Sequence, residues 1–101
     1  MFALFLRELF YLKLVIIYFM RIDKFLNAVN ITKRRAVAED MLEHKVVLLN
    51  NASVKKAKEV KVGDIIEIQY LDKSEKFKVL QIPTVKSTPK SKQEEYVVRC
   101  D

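Results

Sequence analysis

Met20-Arg21-Ile22-Asp23-Lys24-Phe25-Leu26, followed seven positions on by Lys33-Arg34-Arg35, decides how the rest of this chain is read. Ile22, Phe25, Leu26 and Val29 recur at i, i+3, i+4 and i+7, one apolar face of a short helix. Asn30-Ile31 ends it. Thr32 has the chemistry of an N-cap for a second helix, whose buried face would be Ala38, Met41 and Leu42. A capping box would put Glu or Gln at the third helical position, and Arg35 stands there instead. Amide dipoles already place partial positive charge at a helix start, so each cation there costs roughly 0.3–1 kcal/mol. Three cations gathered at such a start point to an anion, and phosphate is the natural one.

Beyond Glu43-His44-Lys45 the period changes to that of strands. Val46-Val47-Leu48-Leu49 reads as a β-run, and Asn50-Asn51 as a tight hairpin turn, since Asn tolerates positive φ. Val54 and a basic stretch (Lys55, Lys56, Lys58, Lys61) follow, then a turn at Val62-Gly63-Asp64 with the chain's only glycine. Ile65 to Tyr70 reads as a strand, and Lys76 to Ile82 as its partner across Asp72-Lys73-Ser74. Residues 83–93 (PTVKSTPKSKQ) read as a mobile basic loop, and Tyr96-Val97-Val98 as a returning edge strand. The fold class is therefore α+β: two short helices packed on a small twisted, mostly antiparallel sheet.

With 101 residues the chain has room for one small domain. Nineteen basic against thirteen acidic residues give a net charge of +6, which favours nucleic acid or an anionic membrane face as partner. One cysteine, Cys100, allows no internal disulfide, in keeping with a reduced, cytoplasmic compartment. One histidine, His44, and no metal-ligand spacing leave no expectation of a metal site or cofactor. Neither His44 nor Cys100 has an activating partner in sequence, and Asp64 beside Gly63 reads as a turn residue, so no enzyme and no small-molecule substrate are expected.

Residues 1–19 (MFALFLRELFYLKLVIIYF) form an apolar extension interrupted by Arg7, Glu8 and Lys13, with the pattern of one more helix. The length is that of a membrane span, about 20 residues. Three charges at about 2.5–3.5 kcal/mol each nearly cancel what the apolar side chains contribute at roughly 0.3–0.6 each. The domain pattern opens cleanly at Met20, so the expectation is a mis-assigned start upstream of it. A membrane anchor or an added apolar helix are the alternatives.

Taken together, Arg21-Ile22-Asp23-Lys24-Phe25-Leu26, Lys33-Arg34-Arg35 with Ala38, Val47-x-x-Asn50-Asn51, Lys55 and Val62-Gly63-Asp64 resemble the S-four RNA-binding domain family over about residues 20–70. The nearest likeness is to its small stand-alone bacterial members, those of ribosome-associated quality control and the heat-shock S-four proteins. The resemblance implies an S-four (alpha-L-like) domain over residues 20–101, with two helices and a hairpin forming the RNA-contacting surface. By position it implies RNA contacts from Arg21, Lys24, Lys33, Arg34, Arg35, Asn50, Asn51, Lys55 and Lys56. Implied partners are large-subunit rRNA, tRNA, and a quality-control factor that elongates the nascent chain, in rescue of stalled translation. Two positions depart from the family pattern: Lys45 stands where a glycine is usual, and Asn51 where the hairpin commonly has glycine.

Asp23 is the odd acid in a basic patch. Its expected role is an ion pair with Arg34 or Arg35 that orients the guanidinium. Phe25 and Phe77 read as core, which leaves no evident aromatic platform for bases and favours recognition of folded RNA by shape and backbone. A membrane-tethered basic protein and a general structured-nucleic-acid binder are the competing readings.

Overall fold

The structure is a computed structural model that describes residues 19–100. The N-terminal helix and the start site expected for residues 1–19 fall, Phe19 apart, outside the described residues. The elements run β1 (Met20–Arg21), α1 (Ile22–Ala28), α2 (Arg35–Glu43), β2 (Val47–Leu49), β3 (Ala52–Ser53), β4 (Glu59–Val60), β5 (Ile65–Gln69), β6 (Ser74–Val79), a 3-10 helix (Lys90–Glu95) and β7 (Val97–Arg99). The expected α+β class holds. An antiparallel five-stranded sheet of order β3-β2-β5-β6-β7 carries the two helices, and β1 and β4 form a small separate ribbon.

Period-2 alternation decides which side of the sheet is inside. Val47 pairs with Ile68, Leu49 and Phe77 both with Ile66, and Val79 with Val97. All of these are buried, and they face the α1 stripe Ile22, Phe25, Leu26 and Val29 together with Ala38 and Leu42 of α2. Each large apolar side chain removed from water here contributes about 1.5–3 kcal/mol. Asn50 and Asn51 have φ of 51° and 70°, the two positive values of a type I′ hairpin. Gly63, at φ 94°, turns the chain into β5.

A seven-residue helix is too short to persist by itself, and α1 is held at both ends by distant segments. At its start, the Ile22 and Asp23 amides donate to the Lys58 and Lys56 carbonyls at 2.7 and 3.3 Å. At its end the chain turns through Asn30 (φ 65°), with Asn30 N donating to Asn27 O and Ile31 N to Leu26 O. That pair of bonds is a Schellman motif. The last carbonyls, of Ala28 and Val29, accept from Thr88 (N and Oγ1, 3.0 and 2.8 Å) and from Gln93 Nε2 (2.8 Å). The second helix ends the same way: Lys45, at φ 58°, donates to Leu42 O, and Val46 N to Met41 O. Lys45 thus occupies a left-handed position that glycine fills without strain.

Four local expectations are corrected. Thr32 does not cap α2: its amide is drawn back to Leu26 O by the α1 terminus, its hydroxyl donates to Arg34 O, and the helix begins only at Arg35. Arg34 is the N-cap residue, without a side-chain cap, so Arg35 is the first helical residue rather than the third. β6 begins at Ser74 and not Lys76, because Tyr70 N closes on Lys73 O and brings Ser74 opposite Gln69. The segment 83–93 is a loop only as far as Pro89. Pro83 and Thr88 are buried, Lys90–Glu95 coil into a 3-10 helix, and the whole forms a strap across the end of α1.

Candidate nucleic-acid interface

Asp23 sits in the first turn of α1 with no accessible surface, and its two carboxylate oxygens take four donors. Oδ1 accepts from Arg21 Nε at 2.9 Å and the Lys24 amide at 2.8 Å. Oδ2 accepts from Arg21 Nη2 at 3.0 Å and Arg35 Nε at 3.3 Å. That fills the roughly four lone-pair positions a carboxylate has. Burial alone would raise the Asp23 pKa; the Arg21 hydrogen bonds, the Lys24 amide and the Arg35 charge outweigh it and hold the carboxyl below its ordinary value. The expected pairing of Asp23 with an arginine of the second helix is with Arg35, not Arg34, and Arg21 joins it from the other side.

The consequence is two guanidinium groups fixed in orientation and each about two-fifths exposed. Arg35 uses Nε for Asp23 and Glu39, and its two terminal nitrogens make no hydrogen bond among the described residues. That free edge is the geometry that takes a phosphate through two parallel bonds. Arg21 commits its Nε–Nη2 edge to Asp23 and has less left to offer. Lys24, Lys33 and Arg34 are exposed around this pair.

The backbone bonds from α1 to Lys56 and Lys58 bring the basic segment after the hairpin against the same helix start. Lys55 and Lys56 are exposed there, across a groove from Glu39 and Glu43 of α2. Asn50 has a structural task that spacing did not reveal: its Nδ2 donates to Asp64 Oδ1 and its Oδ1 accepts from Ile65 N, which latches the hairpin to the start of β5. Asp64 in turn accepts from Lys61 N, so it is the turn residue it was read as. Asn51 is exposed at the hairpin tip. Among the described residues no group of acids, His and Cys is arranged to hold a metal ion.

A model of the S4 domain matches residues 20–66, the span of every one of these side chains. A Helicobacter pylori protein named RQC P-site tRNA stabilizing factor is 46% identical over 78 residues, covering 77% of this chain and 93% of that relative. The chain belongs to the S4 domain family. A Bacillus subtilis protein of the same name is 28% identical over 74 residues, 73% of this chain and 83% of its own. The solution structure of a hypothetical protein, 43% identical, superposes with a TM-score of 0.71 over 81% of this S4 protein and 98% of that one. The trimeric structure of Vibrio cholerae Heat Shock Protein 15 shares the fold at a TM-score of 0.73 over 81% and 82% of the two chains, with 22% identity. The S4 match ends at Ile66, so β6, β7 and the strap lie beyond it.

Proposed function

We propose that this S4 domain binds structured RNA on the large ribosomal subunit, rRNA together with P-site tRNA, where translation has stalled, and performs no catalytic step itself. The observation that carries the reading is the buried Asp23 carboxylate, which fixes the Arg21 and Arg35 guanidinium groups on a face where Lys24, Lys33, Arg34, Lys55 and Lys56 are exposed. Fixed arginines position a protein on the sugar-phosphate backbone, and mobile lysines around them add sequence-independent attraction. The relatives' name, RQC P-site tRNA stabilizing factor, supports ribosome-associated quality control as the setting. In that setting the site would be cytoplasmic, and a factor that elongates the nascent chain would work beside it.

Co-sedimentation with isolated large subunits tests this. Arg35→Ala should weaken binding by about tenfold, the scale of one bidentate contact. With about five phosphate contacts, log affinity should fall against log salt with a slope of roughly −3.5 to −4.5. Salt-insensitive association, or none, would overturn the reading. Displacement by an equal concentration of duplex DNA would reduce it to general nucleic-acid binding. Among the described residues no helix is long and apolar enough to cross a membrane.

A further inference from the structure

The strap is held more firmly than a connection needs. Thr88 is 4% exposed and donates twice to Ala28 O, while its own carbonyl accepts from Asn30 Nδ2 at 2.8 Å. Ile82 and Pro83 are buried on the other side. Between these two anchors residues 84–87 arch outward, and Val85 at the crest is 54% exposed. The arch stands opposite α1 and α2 and closes a cleft of about 420 Å³.

The chemistry of that cleft is sorted. Lys24, Arg35 and Lys86 line it and supply three cations, and none of its described lining residues is acidic. The groove between α2 and the hairpin differs, for Glu39 and Glu43 line it beside its lysines. Met20 and Val85 give the strap cleft apolar surface. Asn27 lines it too, with one long hydrogen bond of 3.4 Å from Nδ2 to Thr32 O, and so offers an amide to a base edge. The size falls within the range of small-ligand pockets, roughly 300–1,000 Å³. It is too small for a double helix.

We infer that this cleft takes a single unpaired nucleotide of the bound RNA, its phosphate on Arg35, Lys24 and Lys86 and its base against Met20 and Val85. The inference rests on the RNA-binding reading above and adds the strap, a segment outside the S4 match, to the binding face. Unpaired nucleotides are what proteins can grip individually, because their bases are free to leave the stack. A fixed arginine and two apolar side chains in one lining suit a phosphate followed by a base.

The test compares two RNA hairpins of the same length, one fully paired and one with a single bulged nucleotide, titrated with the full chain at fixed salt. The readout is the ratio of the two affinities, so any uniform electrostatic change cancels. The native chain should prefer the bulged RNA by about tenfold, the scale of one base contact. The double variant Val85→Ser/Lys86→Ala, whose side chains are both exposed, should bring the ratio close to one. A native ratio of one with tight binding to both RNAs overturns the pocket and leaves the RNA-binding face standing. A tenfold ratio that survives in the double variant overturns it as well, since the preference would then arise elsewhere. Failure to bind either RNA overturns the pocket, while co-sedimentation with large subunits decides the reading it rests on.

Discussion

The two helices of this domain are charged in opposite senses. α1 has Asp23 in its first turn, where the amide dipoles favour an anion, and its N-terminal amides are met by the Lys56 and Lys58 carbonyls. α2 begins with Arg34 and Arg35, has no acid in its first turn, and gathers Glu39, Asp40 and Glu43 toward its end. The ion pair at its start, Arg35 to Glu39 at 3.4 Å, runs in the less favourable order, cation before acid. At its other end His44, the C-cap, lies with the dipole: the hydrogen bond of Nδ1 to Asp40 O raises the imidazole's pKa above the usual value. α1 is arranged for stability, whereas α2 gives up some of its own to present cations. Asp23 joins the two, an acid well placed in one helix that supplies the counter-charge missing from the other.

The contrast breaks most severely at Asp23. Replacing it with Ala leaves two half-buried guanidinium groups facing each other. Removal of one member of a buried pair costs about 3–5 kcal/mol. Because Arg21 and Arg35 are partly exposed and can rehydrate, about 2–3 kcal/mol is expected in urea unfolding, together with weaker RNA binding. The same pair sets a pH dependence. The folded-state pKa of Asp23 lies below its ordinary 3.8, so its contribution is complete above that pH and is lost as pH falls toward the folded value. Asp23→Asn should remove that part of the acid-side loss, seen as a flatter dependence of the urea midpoint below pH 4.

A subtler change sharpens the comparison by giving α2 the start that α1 already has. Arg34→Ser installs a cap at the N-cap position and should raise stability by about 1 kcal/mol while RNA affinity falls. Thermal melts and an RNA titration on the same sample would show the two effects moving apart; a loss of both would refute the account of α2. The smallest effect belongs to the other end of that helix. Lys45→Gly relieves the left-handed strain at φ 58° and should add about 0.5–1 kcal/mol to the unfolding free energy, read as a higher urea midpoint.

The parts of this arrangement that could be read from sequence are those with local causes. The i, i+3, i+4, i+7 stripe placed Ile22, Phe25, Leu26 and Val29 in the core, and paired Asn and the lone Gly placed two turns, because each signal acts within a few residues. Asp23 was legible as an orienting acid, since a carboxylate among cations needs a partner within reach. The start of α2 departs from the capping pattern because the Thr32 amide is already taken by the preceding helix, a competition that propensity does not register. The Asn50 latch depends on a residue fourteen positions away, and the strap on bonds spanning about sixty. A segment written in Pro, Ser, Thr and Lys looks like a loop when its partners are that far off.

The dependence of α1 on its two ends also bears on what the unit of folding is. The S4 match stops at Ile66, yet a chain cut there would lose the donors that Thr88 and Gln93 send to Ala28 and Val29, and β5 would lose its neighbour β6. The two turns of the helix that bears Asp23 would then end in orphaned carbonyls. A recognisable motif and a self-sufficient folding unit therefore differ in extent here. Grafting residues 20–66 alone onto another protein would move the charges without the framework that aims them.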